Sequence, residues 1–291
     1  MRQRLISAAV LVPVVVIVFL LGQPWIALGI AVLGAFAAYE AAQLVKAAGL
    51  PANTWIAVAT PLLGVLAFDS VIRPGGELAV TGYLIAPAIA VWFIVSALPG
   101  LLQREPHNGF LAWVGTAFAG LYPTMLAFVV GLYWLTAFST SEPLWGGVLD
   151  TGRIWLLILV ATVWAFDSAA YIAGRTLGRH PFMQHISPSK TWEGVIGGTL
   201  AAMLVCAGLL SSIGQHAIGG AALGLAIAVA AQAGDLAESM LKRAAGAKDS
   251  GNLIPGHGGV LDRVDSFLFA APVTYGGLVL VAVLHLGGIV D

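Results

Sequence analysis

Long runs of apolar residues, separated by short polar segments, fill the chain from one end to the other. Most runs reach about 20 residues, the length that an α-helix needs to cross the hydrocarbon core of a bilayer. Nine runs qualify, near residues 5–22, 25–45, 54–71, 79–100, 110–135, 154–175, 194–213, 217–237 and 266–288. The pattern predicts an all-α, polytopic integral membrane protein with nine transmembrane helices.

Several runs have features that predict local structure. The fifth is overlong and contains Pro123, which disfavours a continuous helix. The seventh and eighth are separated only by residues 214–216, so we expect a tight helical hairpin there. The first is longer than a signal-peptide core and no small-residue cleavage site follows it, so we expect an uncleaved anchor. Close helix packing is expected at two glycine pairs, Gly194/Gly198 and Gly220/Gly224.

The composition supports a membrane environment. Of the 291 residues, 59% are hydrophobic and 9% are charged, and the mean hydropathy is +0.93. A soluble domain carries about 25% charged residues, so this chain cannot cover a water-exposed surface with polar groups. The single cysteine, Cys206, lies in an apolar run and excludes an internal disulfide. The net charge of −1 does not indicate a nucleic-acid partner.

The basic residues are distributed unevenly between the two sides of the predicted membrane. With the N terminus in the cytoplasm, eleven of the 13 lysines and arginines fall in cytoplasmic segments, and only Arg73 and Arg153 fall outside. Cytoplasmic loops of membrane proteins carry such an excess of positive charge. We therefore expect a cytoplasmic N terminus and place Asp291 on the opposite side.

The two halves of the chain differ in polarity. Residues 1–150 contain few polar residues within their spans, with Tyr39 and Glu40 as the clearest exception. We assign them to a transmembrane scaffold with dimer or lipid contacts. Residues 151–291 contain most of the intramembrane charge. We therefore assign the chemistry to this half, at its cytoplasmic face.

One face of the eighth predicted helix carries several polar side chains. Asp235, Glu238, Ser239 and Lys242 follow one another at i, i+3, i+4 and i+7, a spacing that places them on one side of a helix. An ionised carboxylate in the bilayer costs about 3 kcal/mol, so Asp235 must face protein, water or a cation. The alternative is an Asp235–Lys242 pair that only stabilises the helix end.

The segment from Ser239 to Ser266 concentrates charge of both signs between two apolar runs. Its middle, residues 255–259, is Pro-Gly-His-Gly-Gly and cannot be ordinary helix. Asp262 and Asp265 follow, three residues apart, at the start of the last span. Carboxylate ligands suit Mg²⁺, which usually also binds waters and substrate phosphate oxygens. Asp265 alone is also explained as a helix cap.

Two further elements lie near the cytoplasmic ends of other spans. Ser187, Ser189 and Lys190 precede the seventh span, where hydroxyls, a lysine and helix N–H groups form a natural phosphate site. A plain helix start is the alternative. Asp167 lies in the sixth span, and an intramembrane aspartate is a functional candidate. His257 has no second histidine at ligand spacing, so we expect it to bond a phosphate or the loop backbone.

These residues resemble the motif of bacterial phosphatidate cytidylyltransferases, the CDP-diacylglycerol synthases. The resemblance follows the stretch 239–266 and extends to residues 234–238, 187–194 and 167–171. It covers the C-terminal half closely, whereas the N-terminal half matches only in its hydrophobic layout. One departure is Ser189, where the family often has a lysine.

The resemblance implies an enzyme of phospholipid biosynthesis in the bacterial inner membrane, with its active site facing the cytoplasm. It would transfer CMP from CTP to phosphatidate, giving CDP-diacylglycerol and pyrophosphate. Mg²⁺ is the implied cofactor, and members of the family are also described with a second, monovalent cation. CTP, phosphatidate and membrane lipid are the expected partners, with no nucleic acid. A homodimer through the glycine-rich spans is a further expectation.

Roles for individual residues also come from the resemblance. By motif position it implies that Asp235 and Asp262 bind the metal. Catalytic roles are implied for Asp235, Asp262, Asp265, Lys242, Lys248 and Asp249. Substrate-binding roles are implied for Ser187, Ser189, Lys190, Asp167, Arg243, His257 and Arg263.

Two other classes of protein stay open on the sequence. A CTP-dependent lipid kinase would share the nucleotide and the membrane but transfer the γ-phosphate. An ion or solute transporter fits a polytopic chain with intramembrane carboxylates, although transporters place such charges near mid-membrane in two repeated halves. No P-loop and no G-x-S-x-G motif occurs in the chain.

Overall fold

The computed structural model of the chain describes residues 2–72, 78–135, 149–256 and 258–286. These ranges contain ten α-helices and, apart from two isolated β-bridges, no strands. The all-α prediction is confirmed. The helices are α1 (Arg2–Leu21), α2 (Trp25–Ala47), α3 (Thr54–Ile72), α4 (Leu78–Leu101), α5 (Pro106–Thr124), α6 (Ala127–Trp134), α7 (Thr151–Leu177), α8 (Trp192–Ser212), α9 (Ala217–Ala244) and α10 (Leu261–Leu286).

Seven stretches of the described residues are long and apolar enough to cross a membrane, which confirms a polytopic membrane protein. They are α2, α3, α5 together with α6, α7, α8, α9, and the part of α10 from Leu261 to Ala282. The apolar parts of α1 and α4 among these residues, Leu11–Leu21 and Pro87–Leu101, are shorter. The count of nine and the cytoplasmic N terminus stay predictions.

The fifth predicted span is divided into two helices near Pro123. α5 ends at Thr124, and the chain continues into α6 through i→i−3 hydrogen bonds. Met125 N–H donates to the Tyr122 carbonyl at 3.3 Å, and Leu126 N–H donates to the Pro123 carbonyl at 3.1 Å. Proline lacks an N–H and its ring displaces the carbonyl four residues earlier, so Pro123 weakens the helix just before this break.

The short connection between α8 and α9 is the predicted helical hairpin. Gly214 has a φ of +78°, a left-handed conformation that favours glycine. Its N–H donates to the Ser211 carbonyl at 3.1 Å, and Gln215 N–H donates to the Leu210 carbonyl at 2.9 Å. This pair of bonds is the Schellman motif, which satisfies the last carbonyls of a helix and reverses the chain.

Both predicted glycine pairs lie at close helix–helix contacts within residues 131–239. A Cβ on Gly198 would lie 2.8 Å from the carbonyl oxygen of Phe166 on α7, and one on Gly224 would lie 2.7 Å from that of Ala202 on α8. Only a residue without a side chain permits such an approach. The other two predicted glycines are equally close to a neighbouring helix, Gly194 to α7 and Gly220 to α8.

The chain forms two compact units. The first comprises Met1–Val130 and Met240–Val264, and the second comprises Gly131–Ser239 and Asp265–Asp291. In the first unit, α2, α3 and α5 pack on one another around buried alanines. In the second unit, α7 packs against α8. The separation of a scaffold half from a catalytic half at residue 150 stays a prediction.

Candidate functional site

The predicted site residues form two clusters, one within each unit. The Asp262 cluster lies in the first unit and comprises Glu40, Lys242, Ser250, Gly259 and Asp262. The Asp235 cluster lies in the second unit and comprises Asp167, Lys190, Asp235 and Ser239.

Asp262 is held on both oxygens of its carboxylate. Oδ1 accepts a hydrogen bond from Lys242 Nζ at 2.7 Å. Oδ2 accepts three bonds, from the Ser250 N–H at 2.9 Å, the Ser250 hydroxyl at 2.8 Å and the Gly259 N–H at 2.8 Å. The Lys242 and Asp262 side chains are only 12% and 9% exposed. Charge-assisted bonds from several directions fix the orientation of this carboxylate.

Lys242 reaches this position from the last turn of α9. Gly246, with a φ of +65°, ends the helix through a second Schellman motif. Its N–H donates to the Arg243 carbonyl at 3.0 Å, and Ala247 N–H donates to the Lys242 carbonyl at 2.8 Å. The Arg243 guanidinium also donates to the Ala247 carbonyl at 3.1 Å. The chain therefore leaves the helix directly after the two basic residues and enters the loop that carries Ser250.

The adjacent glycines 258 and 259 are required by close approach to the cluster. Gly258 has a φ of +80°, and a Cβ there would lie 2.8 Å from Asp262 Oδ2. A Cβ on Gly259 would overlap the Ser250 hydroxyl and the Glu40 carboxylate. The prediction that this loop is not helical is confirmed, because Ile254 N–H bonds the Gly258 carbonyl at 3.0 Å in an isolated bridge.

Asp265 is not a helix cap. α10 begins at Leu261, so Asp265 lies in its second turn and the capping alternative is wrong. Its Oδ1 accepts the Ser266 N–H at 2.7 Å. Within the second unit, a Cβ on Gly234 would overlap the Asp265 carbonyl, so the α9 backbone meets α10 one residue before Asp235.

Glu40 on α2 is a member of the Asp262 cluster that sequence reasoning noted but did not assign. Its side chain is 1% exposed. Oε1 accepts the Val260 N–H at 3.1 Å, and Oε2 accepts the Leu261 N–H at 2.8 Å and the Ser250 hydroxyl at 3.1 Å. Its signal was an ionisable residue in an apolar span, which marks a functional candidate. Its partners, more than 200 residues away, had no local signal.

In the Asp235 cluster, a lysine from the loop before α8 meets the aspartate of α9. Lys190 Nζ lies 2.7 Å from Asp235 Oδ2, with the two side chains 18% and 33% exposed. The Ser239 hydroxyl donates to Asp235 Oδ1 over 3.3 Å. Asp167 is close enough for its charge to interact with both Asp235 and Lys190. Lys190 therefore pairs with Asp235 and lies within electrostatic range of Asp167.

Asp235 and Lys242, considered above as a pair, each have a partner of opposite charge within their own unit. Lys242 bonds Asp262, and Asp235 bonds Lys190. All four polar residues of the predicted face lie on one continuous helix, α9. Glu238, the remaining carboxylate of that face, is completely buried.

The loop that carries Lys190 is a short hairpin anchored at the start of α8. Phe182 N–H donates to the Lys190 carbonyl at 2.8 Å, and the rings of Phe182 and Trp192 meet edge to face with centroids 4.7 Å apart. Thr191 is the N-cap of α8, since its hydroxyl accepts the Gly194 N–H at 3.2 Å. The loop thus presents the Lys190 ammonium from a fixed backbone.

The other predicted residues lie mostly on exposed parts of the same segments. Ser187 is half-buried and accepts the Lys190 N–H on its carbonyl at 3.3 Å. His257 lies outside the described residues. The exposed members are Ser189, Arg243, Lys248, Asp249 and Arg263.

The donor chemistry of the Asp235 cluster fits a hard cation that also binds substrate, whereas Asp262 already accepts four hydrogen bonds. Within the described residues, no three His, Cys, Asp or Glu side chains are arranged to hold a metal by themselves. Mg²⁺ usually takes only one or two carboxylates and completes its shell with water and phosphate oxygens. A carboxylate has about four acceptor positions, and the contacts of Asp235 with Lys190 and Ser239 use two of them.

An apolar groove between α9 and α10 in the second unit does not provide phosphate ligands. It is lined by hydrocarbon groups, among them Leu225, Val229, Phe269 and Val273. On α9, Asp235 points about 150° away from the mean direction of the groove residues, given 100° of rotation per residue. The charged groups of the Asp235 cluster therefore lie away from the groove.

Comparison with known proteins identifies the relatives of the chain. The sequence pattern that defines the cytidylyltransferase family matches residues 2–281. The chain belongs to this family. It is 35% identical to a phosphatidate cytidylyltransferase of Synechocystis sp. over 289 residues, covering 94% of each chain. It is 38% identical to one of Brucella suis over 195 residues, covering 63% of this chain and 70% of the relative. A Haemophilus influenzae phosphatidate cytidylyltransferase is 42% identical over 155 residues, covering 47% of this chain and 54% of the relative.

Proposed function

We propose that the chain is a phosphatidate cytidylyltransferase, which transfers CMP from CTP to phosphatidate and forms CDP-diacylglycerol and pyrophosphate. The observation that carries the proposal is the Synechocystis relative of that name, which aligns with 94% of the chain. The two lysine–carboxylate pairs support it, because they supply fixed charge of both signs for a reaction between phosphates.

The proposed reaction is a displacement at phosphorus. A phosphate oxygen of phosphatidate attacks the α-phosphorus of CTP and forms a new P–O bond. The bond from that phosphorus to the oxygen bridging the β-phosphate breaks, and pyrophosphate leaves with the electron pair. Because the nucleophile is already an anion at neutral pH, no side chain has to deprotonate it.

Repulsion between the substrates is the main obstacle to this reaction. Two like unit charges at 4 Å repel by about 4 kcal/mol at an effective dielectric constant of about 20, and both substrates carry several charges. Lys190 and Lys242 are each held in place by an aspartate at 2.7 Å, so their ammonium groups are oriented before substrate arrives. The exposed Arg243, Lys248 and Arg263 are proposed to contact pyrophosphate and the lipid phosphate.

Mg²⁺ is part of the proposal, and Asp235 and Asp262 are each proposed as metal ligands. This assignment rests on their motif positions. When bound, the metal would neutralise charge on the reacting phosphates. Asp265 is proposed to act in catalysis and Asp167 in substrate binding, and a second, monovalent cation belongs to the same proposal. Asp249 is also proposed to act in catalysis. Ser187, Ser189 and His257 are proposed to bind phosphate groups of the substrates.

The proposed setting is the inner membrane of a bacterium, with the site open to the cytoplasm. CTP would then arrive from the cytoplasm and phosphatidate laterally from the leaflet. Basic residues near the cytoplasmic surface attract anionic lipid by about 1 kcal/mol each. A homodimer is retained as a proposal only.

The position of a radioactive label tests the proposed reaction directly. Purified protein would be incubated with phosphatidate, Mg²⁺ and CTP labelled at either the α- or the γ-phosphate. We expect label from the α-phosphate alone to enter the lipid. Lipid label from the γ-phosphate would instead show a lipid kinase. Absence of label from either position would contradict both activities.

A further inference from the structure

Glu40 is a carboxylate buried in a helix that is otherwise apolar. Its side chain is 1% exposed, and its neighbours on the buried face of α2 are mostly alanines such as Ala37, Ala38, Ala41 and Ala42. Burying an ionisable group at membrane depth is costly unless it has specific partners. The contacts of Glu40 therefore indicate what the group is for.

Those contacts lie at the N-terminus of α10. The first N–H groups of a helix have no partner within the helix and attract negative charge. Val260 N–H donates to Oε1 at 3.1 Å, and Leu261 N–H donates to Oε2 at 2.8 Å. Glu40 thus caps α10 from another helix of the same unit, one residue before Asp262.

The loop that leads to α10 is closed tightly around the same carboxylate. A Cβ on Gly251 would lie 2.8 Å from Glu40 Cδ, and a Cβ on Gly259 would overlap Oε2. Real Cβ contacts are not this short, so both positions require glycine while Glu40 occupies the space. The loop backbone is shaped to fit Glu40 at two separate points.

Ser250 links Glu40 to Asp262. Its hydroxyl oxygen lies 3.1 Å from Glu40 Oε2 and 2.8 Å from Asp262 Oδ2. A hydroxyl has one proton, so it donates to only one of the two carboxylates at a time. Two negative groups therefore converge on one buried serine, and the surrounding donors offset their repulsion. These donors are the backbone N–H groups of Ser250, Gly259, Val260 and Leu261 and the Lys242 ammonium.

We propose that Glu40 is a positioning residue for the reaction: through Ser250 and the first N–H groups of α10, it sets the orientation of the Asp262 carboxylate. A cap alone would need only a neutral oxygen such as that of serine or asparagine. The charge and the three-point contact instead serve to hold the loop and α10 in one arrangement. The inference rests on the proposed role of Asp262 at Mg²⁺.

Glu40→Gln tests the proposal with almost no change in volume. In either amide orientation, the –NH₂ group faces a backbone N–H, of Val260 or of Leu261, and leaves that donor without an acceptor. We expect kcat to fall by about 10- to 100-fold and the Mg²⁺ concentration for half-maximal rate to rise by a similar factor, the usual cost of losing an outer partner of a metal ligand. Raised Mg²⁺ should restore part of the rate.

Thr116→Val is the matched control for a general loss of stability. Thr116 is also buried in the first unit, and its hydroxyl accepts the Asn53 N–H at 2.8 Å. This variant loses that bond and the one that the hydroxyl donates to the Ala112 carbonyl at 2.6 Å, both away from the Asp262 cluster, and should leave the Mg²⁺ requirement at the wild-type value. Hydrogen exchange, measured on intact protein without substrate, gives a readout separate from activity. Glu40→Gln should speed exchange in peptides covering residues 250–261, and Thr116→Val should not.

The outcomes separate this inference from the proposed function. A folded Glu40→Gln variant with the wild-type kcat and Mg²⁺ requirement would overturn the inference, as would equal losses in Thr116→Val. If Glu40→Gln does not fold, Ser250→Ala decides, because it removes only the hydroxyl that joins the two carboxylates. Full activity in that variant would also overturn the inference. Full activity in Asp262→Asn would instead remove the proposed role of Asp262 itself.

Discussion

At the scale of single residues, the lysine–aspartate pair is the common feature of both clusters. Lys190 holds Asp235, and Lys242 holds Asp262, each at 2.7 Å and largely shielded from water. Removing one partner of a shielded pair leaves an uncompensated charge. An incoming phosphate offers each lysine a second anion, and a cation offers each aspartate a second positive partner. The pairs are therefore suited to a reaction that brings several charges together.

Lys190→Gln is expected to weaken CTP binding more than it weakens the fold. The substitution keeps most of the length of the side chain but removes the charge that faces the phosphates. Loss of one charge-assisted bond of about 1.5–3 kcal/mol predicts a rise in KM for CTP of about tenfold or more. The measurement is steady-state kinetics with CTP varied at saturating phosphatidate.

Lys46→Gln is the control for that substitution. Lys46 also carries one charge and bonds a single hydroxyl, Thr54 Oγ1, at 2.6 Å, but it belongs to neither cluster. Its removal should leave KM for CTP unchanged. A Lys190→Gln variant with the wild-type KM would show that Lys190 only neutralises Asp235.

At the scale of elements, packing of α8 depends on where its glycines lie. A Cβ on Gly198 would lie 2.8 Å from the Phe166 carbonyl and 2.9 Å from Ala170 Cβ, both on α7. Gly208, on the same helix, has nothing within 4 Å of the Cβ position. The two positions hold the same residue in the same helix but differ in how closely a neighbouring helix approaches. Replacing each with alanine therefore distinguishes the effect of packing from the effect of helix propensity.

Gly198→Ala should destabilise the protein and Gly208→Ala should not. Overpacking a tight contact costs about 1–3 kcal/mol, whereas alanine exceeds glycine in helix propensity by about 1 kcal/mol. Thermal unfolding in detergent should therefore show a lowered midpoint for Gly198→Ala and an equal or raised one for Gly208→Ala. Equal midpoints for both variants would contradict the close α7–α8 contact.

The helices themselves were largely predictable, because length and apolarity are local properties of the sequence. The residues at which the helices begin and end were less predictable. α9 continues past the predicted residue 237 to Ala244, since its polar last turn stays helical until Gly246. α10 begins at Leu261, five residues before the predicted span, since Glu40 caps it from α2. A cap supplied by a distant helix leaves no pattern in the neighbouring sequence.

The site was predictable only in part for the same reason. Spacing placed Asp235 and Lys242 on one helix and predicted the non-helical glycine loop, and both features are confirmed. Partner choice was not predictable, because it depends on tertiary packing. Lys190 contacts Asp235, which lies 45 residues later in the sequence, and Ser250 contacts Glu40, which lies 210 residues earlier.

At the scale of the whole molecule, the distribution of basic residues predicts which side of the membrane each terminus occupies. Eleven of 13 lysines and arginines fall on one side in a nine-span arrangement that begins in the cytoplasm. An odd number of crossings places the two termini on opposite sides. This orientation would also place both clusters within reach of cytoplasmic CTP.

Reporter fusions test the orientation. Alkaline phosphatase, which is active only outside the cytoplasm, should be active when fused after Asp291 and inactive when fused before Met1. Green fluorescent protein exported in unfolded form does not fluoresce, so it should give the reverse pattern at the same two positions. A fluorescent fusion after Asp291 would contradict the predicted arrangement.

The measurement that tests the central claim most directly follows both products of one reaction. Wild-type protein and Asp262→Asn, purified and shown to be folded, would be given phosphatidate, Mg²⁺ and α-labelled CTP. The account predicts that the wild type forms labelled lipid and pyrophosphate in equal amounts, and that Asp262→Asn forms neither at a measurable rate. Labelled lipid without an equal amount of pyrophosphate, or normal turnover by Asp262→Asn, would contradict it.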